Sequence, residues 1–232
     1  MALIIRIDVD RPYGKAPLFR HVLSRISSDF YLPKLPGLGY LAELENMLIA
    51  LNNANARAYV FFRRCTLPPK HVIELLHAGQ HEVGLHLENS RSFDTFRQET
   101  KIVEDHFGTK IAAMSKHGSG GSKFGYHHYA QYEPAKYMEW AERASMRLFL
   151  GNLEDPTIDP IISTKGLLTF PSAFWLEPHW RDTERFTVDW LMQRARDRDI
   201  VMLVHPENVL ADPVLSSDFE TIIHNLDTTV LS

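Results

Sequence analysis

The chain has 232 residues, of which 44% are hydrophobic and 23% charged, and its formal net charge is -4 at pH 7. This composition is typical of a folded globular protein and argues against long disordered segments. The acidic balance, together with the lack of any run of basic residues, argues against binding to nucleic acid or to an anionic membrane surface.

The length fits one α/β barrel domain, a class that commonly has about 200 to 250 residues, so we expect a single domain over residues 1–232. The apolar segment at the N-terminus is too short for a signal peptide or for a transmembrane helix of about 20 residues. The single cysteine, Cys65, cannot form an intramolecular disulfide, which fits a reducing compartment. We therefore expect a cytoplasmic protein without a transmembrane segment.

Short runs of β-branched and aromatic residues alternate with segments of helical period, which is typical of βαβ units around a parallel sheet. The pattern predicts seven strands: Leu3 to Val9, Ala58 to Phe62, Glu82 to Leu85, Ile111 to Met114, Arg147 to Leu150, Leu167 to Phe170 and Ile200 to Val204. It also predicts helices with apolar faces at Leu41, Leu44, Leu48 and Leu51 and at Val72 to Leu76, and further helices over Phe93 to Phe107, Pro134 to Ala144, Glu184 to Arg198 and Asp218 to Leu226.

The connection from Arg11 to Leu38 contains several Pro and Gly residues and is long for a loop in a compact fold. Such a segment either covers a binding site or forms an ordered surface excursion, and both interpretations remain open. We expect it to lie over or beside the functional face.

Polar residues follow the C-terminal ends of several predicted strands. They are Asp8 and Asp10 on the first, Arg63 and Arg64 after the second, His86 after the third, His117 after the fourth, Asn152 and Asp155 after the fifth, and His205 after the last. In (β/α) barrels the βα loops begin at this end of the strands, and their side chains converge on one mouth. The repeated coincidence predicts a functional site there.

The first strand places two carboxylates on one face. Because side chains alternate along a strand, Arg6, Asp8 and Asp10 point to the same side. Two buried carboxylates need a compensating cation, which is either a bound metal ion or Arg6. A purely structural Arg6–Asp8 pair therefore remains an alternative. Carboxylate with imidazole is the ligand mixture expected for zinc or a similar divalent ion.

Two histidines occur in the segment from residue 81 to residue 90. His81 and His86 bracket a short predicted strand and so lie at its opposite ends, which argues against joint coordination of a metal. We expect His86, but not His81, to lie with the aspartates and His117. Six histidines are predicted to lie away from these residues and are interpreted as structural or solvated: His21, His71, His77, His106, His179 and His224.

Several segments resemble motifs of the polysaccharide deacetylases, the NodB-homology family of carbohydrate esterases. Residues 7–12, Ile-Asp-Val-Asp-Arg-Pro, look like a divergent form of the family's Thr-Phe-Asp-Asp-Gly-Pro motif. Residues 58–62 are similar to its Ala-Thr-Phe-Phe strand, residues 78–86 to its Gly-His-Glu-Ile-Gly-Asn-His run, and residues 203–206 to its closing Leu-x-His motif. The resemblance covers most of the chain, loosely between residues 120 and 195. It implies an α/β fold in which one domain forms a deformed seven-stranded (β/α) barrel.

The resemblance implies a metal site with one substitution. Asp10 matches the family's metal-binding aspartate and His86 the first of its two metal-binding histidines, but Ser90 occupies the position of the second. His117 falls where the family has an Arg-x-Pro-x-Gly motif, and we expect it to supply the third ligand, with Glu88 as the weaker alternative.

The resemblance also implies catalytic roles. The family's catalytic base aligns with Val9, so Asp8 on the interior face is the expected substitute, and His205 matches the family's catalytic acid. Arg63, Arg64 and Asp155 are expected to bind substrate, and the two arginines suit a carboxylate or phosphate group.

The implied activity is metal-dependent removal of an N-acetyl group from an amino sugar, with zinc as the preferred ion. Because the chain lacks an export signal, we expect a nucleotide- or lipid-linked sugar of surface-polysaccharide or O-antigen and lipopolysaccharide biosynthesis. Two alternatives remain open. One is a non-catalytic carbohydrate-binding protein on a decayed deacetylase barrel, indicated by Val9 and Ser90, and the other is an amidohydrolase acting on a non-sugar amide.

Overall fold

The computed structural model describes residues 2–15, 17–32, 34–118, 128–129 and 131–231. Within these residues one sheet contains nine strands: β1 Leu3–Val9, β2 Ala58–Phe62, β3 Glu82–Leu87, β4 Ala113–Lys116, β5 Leu148–Leu153, β6 Ile161–Ile162, β7 Leu168–Ser172, β8 Phe174–Trp175 and β9 Ile200–Val204. The α-helices of the described chain are α1 Leu18–Phe30, α2 Ala42–Asn53, α3 Lys70–Ala78, α4 Phe93–Phe107, α5 Pro134–Arg143, α6 Val188–Arg194, α7 Pro206–Val209 and α8 Pro213–Asn225.

The sheet curls into a deformed barrel. Its strand order is β6-β7-β5-β4-β3-β2-β1-β9-β8, and every pair is parallel except β6 with β7. Only Ala173 separates β7, which pairs with β5, from β8, which pairs with β9. One extended segment therefore joins the two ends of the sheet. The predicted seven-stranded (β/α) barrel is confirmed, and β6 is a two-residue addition at its edge.

Two apolar clusters lie on the two faces of the sheet. The larger cluster packs the outward side chains of the strands against the helices and includes Ile5, Ile7 and Val9 of β1. The smaller fills the barrel interior and draws Ile4 from β1 together with residues such as Phe61 and Leu203 from the other strands. This alternation is the one expected for the first strand, so Arg6, Asp8 and Asp10 follow Ile4 along the interior face toward the mouth.

The bounds of β1, β2, β9 and α4 are those predicted from the sequence, because each is a buried or strongly amphipathic run with clear ends. The helix predicted over Glu184 to Arg198 is shorter in the structure. It begins at Val188 because the Thr187 side chain caps it, accepting a hydrogen bond from the Trp190 backbone N–H at 3.0 Å.

The long segment from Arg11 to Leu38 is not an irregular loop, because it contains α1 and a short 3-10 helix. It lies beside the mouth, as expected, although Ala16 and Pro33 fall outside the described residues. Among the described residues, no helix is both long enough and apolar enough to cross a bilayer.

Candidate metal and catalytic site

Three potential metal ligands meet at the mouth of the barrel. Asp10 Oδ1 lies 2.9 Å from His86 Nε2 and 2.8 Å from His117 Nδ1, and the two imidazole nitrogens are 3.2 Å apart. Asp10 follows the last residue of β1, His86 lies in β3, and His117 follows β4, so the C-terminal ends of these three strands bring them together at the mouth. The structure thus brings the three expected ligands together, and metal binding by them stays a prediction.

The donor atoms fit a divalent cation. Ligand atoms at about 2.0 to 2.2 Å from one tetrahedral zinc ion lie roughly 3.3 to 3.6 Å from each other, slightly more than the observed 2.8 to 3.2 Å. Burial lowers the pKa of His117 to about 3, so its imidazole is neutral, which is the form that binds metal.

A hydrogen-bond chain sets the tautomer of His86. Ser115 Oγ donates to Asp8 Oδ1 at 3.3 Å, and its only proton is thereby used. Ser115 Oγ must then accept the bond from His86 Nδ1 at 2.7 Å, which leaves the lone pair of His86 on Nε2. That lone pair faces the carboxylate oxygen of Asp10. Two acceptors at 2.9 Å repel each other unless a cation lies between them, so this arrangement fits a metal ion.

The Asp8 carboxylate is bound by Arg6. Arg6 Nε donates to Asp8 Oδ1 at 3.0 Å and Arg6 Nη2 to Asp8 Oδ2 at 2.6 Å, and the guanidinium is fully buried. The remaining donors reach the carbonyls of Leu150 and Gly151 and the side chain of Asn152, so Arg6 ties β1 to β5 across the interior. Burial raises the pKa of Asp8, but Arg6 outweighs it and the net shift is downward.

His205 lies at the same mouth and is oriented by Glu177. The His205 Nδ1 atom is 2.8 Å from Glu177 Oε1, and its Nε2 atom is 3.8 Å from Asp10 Oδ2. Burial alone would lower the pKa of His205, but the hydrogen bond and charge of Glu177 raise it to about 10. Glu207 is buried two residues further on, and burial raises its pKa to about 7.

Arg63 belongs to a buried ion pair. It donates to the backbone carbonyl of Asp10 and to the Glu88 carboxylate, which also lies 3.2 Å from His128 Nε2. Glu88 is thus engaged by charged and polar partners, which makes it a poor source of the third metal ligand. Ser90, at the position of the family's second histidine, is buried against the Tyr137 hydroxyl at 3.3 Å.

Two of the predicted substrate-binding residues lie apart from this group. Arg64 is exposed, and its guanidinium stacks on the Tyr31 ring at 4.5 Å. Asp155 closes its own turn by accepting hydrogen bonds from the backbone N–H and hydroxyl of Thr157. Two cavities lie at the mouth, and neither Arg64 nor Asp155 is among the described residues that line them. Substrate binding by Arg63, Arg64 and Asp155 stays a prediction.

Two cavities adjoin the three potential ligands. The first, which we call the α1 cavity, has a volume of about 320 Å³ and lies between α1 and residues Asp10, Arg63 and His117. The second, the tryptophan cavity, has about 530 Å³ and contains Asp8, Asp10, His86 and His205 together with Trp175 and Trp180 in its wall.

Sequence reasoning missed several residues at the mouth. Lys116, Glu177 and Glu207 are buried there, and His21 and His179, which were interpreted as structural or solvated, line the cavities. Glu207 follows His205 by two residues, a spacing that could have drawn attention to it. Glu177 carried no sequence signal, because it reaches His205 from a segment far away in the chain.

His81, by contrast, lies where the sequence placed it, at the opposite end of β3. Its Nδ1 accepts from the Ala58 backbone N–H at 3.1 Å, and its Nε2 lies 2.8 Å from Asn52 Oδ1. Its role is structural, and joint coordination with His86 is ruled out by this position.

No protein-family model matches the sequence, and no curated protein matches it. Solved structures do match. The chain is 14% identical to a protein assigned as a polysaccharide deacetylase from Mycobacterium smegmatis, with a TM-score of 0.60 over 95% of this chain and 81% of that one. It is 12% identical to another so assigned from Pseudomonas aeruginosa PAO1, with a TM-score of 0.58 over 96% and 83%.

The Puue allantoinase structure matches at a TM-score of 0.58 and 10% identity, over 96% of this chain and 82% of that one. Structures of a CE4 family pseudoenzyme, one of them from Bacillus anthracis, match at TM-scores of 0.46 to 0.49, and the chain spans about 60% of their length. At these identities the likeness is one of fold. The chain therefore has the deformed (β/α) barrel fold of the polysaccharide deacetylases, the NodB-like deacetylase fold.

Proposed function

We propose that the protein is a divergent polysaccharide deacetylase that uses a divalent metal ion, zinc by preference, to remove the N-acetyl group of an amino sugar. The observation that carries this proposal is the convergence of Asp10, His86 and His117, whose donor atoms lie within 3.2 Å of each other. Asp10 and His86 also line the tryptophan cavity, which contains His205. Carboxylate and neutral imidazole donors, with open space beside them, are typical of catalytic metal sites.

Asp10, His86 and His117 would hold the ion. The chemistry that a divalent cation would supply there is polarisation of the acetamide carbonyl and activation of water near neutral pH. Ser115 keeps the His86 ring in its ligating tautomer, and Asp8 in turn accepts the Ser115 hydroxyl.

His205 is the proposed general acid. Glu177 accepts from Nδ1 and turns Nε2 toward Asp10, the side from which a departing amine would take its proton. Without that proton the amine is a poor leaving group. An imidazole held in this position would therefore serve to protonate the departing amine.

Two carboxylates are available as the general base. Asp8 is the substitute expected from the sequence, and its Oδ2 atom lies 3.6 Å from His86 Nε2, but both of its oxygens already accept from Arg6. Glu207 also lines the tryptophan cavity and has a raised pKa of about 7, which suits a base near neutral pH. We retain Asp8 as the predicted base and name Glu207 as its competitor.

The tryptophan cavity supports a sugar substrate linked to an anionic group. The Trp175 and Trp180 rings lie 5.6 Å apart in its wall, and aromatic faces of this kind pack against the apolar faces of sugar rings. Arg11 and Lys15 line the same cavity and favour a phosphate or diphosphate link. A nucleotide- or lipid-linked amino sugar of surface-polysaccharide or O-antigen assembly, handled in the cytoplasm, is the proposed substrate.

The test combines metal analysis with deacetylation of nucleotide-linked N-acetylamino sugars. We expect one equivalent of divalent metal, release of acetate, and loss of both in Asp10→Asn and His86→Ala. His81→Ala is the matched control, because this histidine lies at the far end of β3, and it should keep its metal. A wild-type protein that binds no divalent metal would refute the proposal.

One observation favours a second candidate, a non-catalytic carbohydrate-binding protein. Both carboxylate oxygens of Asp8, the expected base, accept hydrogen bonds from Arg6, so they are less available to accept a proton during catalysis. Metal-loaded protein that binds acetamido sugars without releasing acetate, whether the sugar is free or nucleotide-linked, would establish that function. Turnover of non-sugar amides alone would instead indicate an amidohydrolase.

A further inference from the structure

Helix α1 carries its apolar residues on the solvent side. Phe19, Val22, Ile26 and Phe30 follow each other at intervals of three or four residues and so form one face of the helix. Their exposed fractions are 53%, 48%, 36% and 72%. An amphipathic helix normally buries this face against the core, so α1 is turned the opposite way.

The face of α1 that packs against the protein is mostly polar. Ser24 and Ser27 are its buried residues, Leu23 is the one partly buried apolar residue of α1 against the core, and Ser24, Ser28 and His21 line the α1 cavity beside His117. The orientation of the helix thus places hydroxyl and imidazole groups over the mouth and leaves the apolar stripe facing outward.

The exposed apolar surface extends beyond the helix. Among the described residues, fourteen large hydrophobic side chains are exposed, and seven of them fall between residues 18 and 35. These seven define the apolar patch: Leu18, Phe19, Val22, Ile26, Phe30, Leu32 and Leu35. Exposed hydrophobic side chains concentrated in one short segment indicate a surface that binds a membrane or another molecule.

The segment that carries the apolar patch is basic although the chain is acidic. Residues 11–35 contain five Lys or Arg residues and one Asp, which gives 5 - 1 = +4, while the whole chain has a net charge of -4. Lys15 precedes α1 and Arg25 lies within it, and both side chains are exposed. The net charge of the whole chain, which argued against binding to an anionic surface, therefore does not describe this segment, whose own charge is positive.

We propose that α1 lies in the interface of an anionic lipid bilayer, with the apolar patch inserted among the acyl chains and the neighbouring cations against the lipid headgroups. Apolar residues on one helix face combined with local basic charge are the features of helices that lie in the membrane plane. A second copy of the chain is the less favourable occupant, because two segments of charge +4 would face each other. Docking in this way would hold the mouth of the barrel at the membrane surface.

Vesicle co-sedimentation tests the inference on the full chain. We expect wild-type protein to sediment with vesicles of phosphatidylcholine and phosphatidylglycerol, to bind less at high salt, and to bind little to phosphatidylcholine alone. Phe19→Ser combined with Phe30→Ser should weaken binding by about tenfold or more, because two of the largest inserted side chains are lost.

The matched control is Ile162→Ser combined with Val214→Ser, which removes two equally exposed apolar side chains (74% and 68%) outside the apolar patch. This variant should bind as the wild type does. Hydrogen exchange on wild-type protein gives a second readout, since residues 18–30 should become protected when anionic vesicles are added. No sedimentation of the wild type, equal binding by the Phe19/Phe30 variant, or a dimer that this variant abolishes would each overturn the inference.

Discussion

The Asp8→Asn substitution tests whether the Asp8 carboxylate has a structural role, as the partner of Arg6, or a catalytic role, as the general base. It keeps the shape of the side chain but removes the countercharge of Arg6, a guanidinium with no exposed surface that Asp8 holds through two hydrogen bonds. If Asp8 is chiefly the partner of Arg6, the substitution leaves a buried cation unpaired, and the main effect falls on the free energy of unfolding.

The expected loss of stability is about 3 to 5 kcal/mol, the range for breaking a buried ion pair by removing one partner. At roughly 2.1 cal/mol/K per residue, 232 residues give an unfolding entropy of about 0.5 kcal/mol/K. The Tm should therefore fall by about 6 to 10 °C. Differential scanning calorimetry on chelator-treated protein measures this without a contribution from bound metal.

Asp10→Asn is the matched control, because it makes the same chemical change two residues further along the same face. The Asp10 carboxylate lies beside two histidines rather than a guanidinium, so its replacement leaves no buried guanidinium unpaired and should cost about 1 kcal/mol or less. An Asp8→Asn protein that melts within about 2 °C of the wild type but turns over 10²- to 10⁴-fold more slowly would refute the ion-pair reasoning and support Asp8 as the base.

Three further predictions follow from the same geometry. His117→Ala should strip the metal, as measured by elemental analysis after dialysis; stoichiometric metal in this variant would show that the third ligand lies elsewhere, with Glu88 next to be tested. His205→Ala should lower kcat by about 10²- to 10⁴-fold with metal content unchanged, and unaltered turnover would remove it from the mechanism. Burial lowers the pKa of His81 from 6.5 to about 4. As the pH falls, His81 is therefore protonated in the unfolded chain before it is protonated in the folded one. The wild type should lose up to about 3 kcal/mol of stability between about pH 6.5 and pH 4. Denaturant unfolding of His81→Gln should lack that part of the pH dependence, and identical pH profiles would contradict the assignment.

The barrel was predictable from local pattern. β2 and β9 are short apolar runs between clear breaks, and β1 is apolar except for Arg6 and Asp8. A run of that kind has few alternatives to a buried parallel strand. The pattern failed for α1, because apolar residues at helical spacing were masked by nearby Pro and Gly residues. It also failed for β6 and β8, which have two residues each, too few for any period to be visible.

The grouping of Asp10, His86 and His117 was within reach of the sequence, because the C-terminal ends of parallel strands in a barrel meet at one mouth, and strand ends can be counted from hydrophobic runs. The role of Asp8 could not be predicted from the sequence. Alternation along β1 puts Arg6 and Asp8 on one face, but only the packed interior decides that the guanidinium turns toward the carboxylate and toward the carbonyls of β5. The same holds for Glu177 with His205 and for the outward apolar face of α1. The bonds from Arg6 to β5 and from Glu177 to His205 join residues that are well separated in the chain, and the outward face of α1 depends on how that helix packs. All of these depend on distances and burial that exist only after the chain has folded.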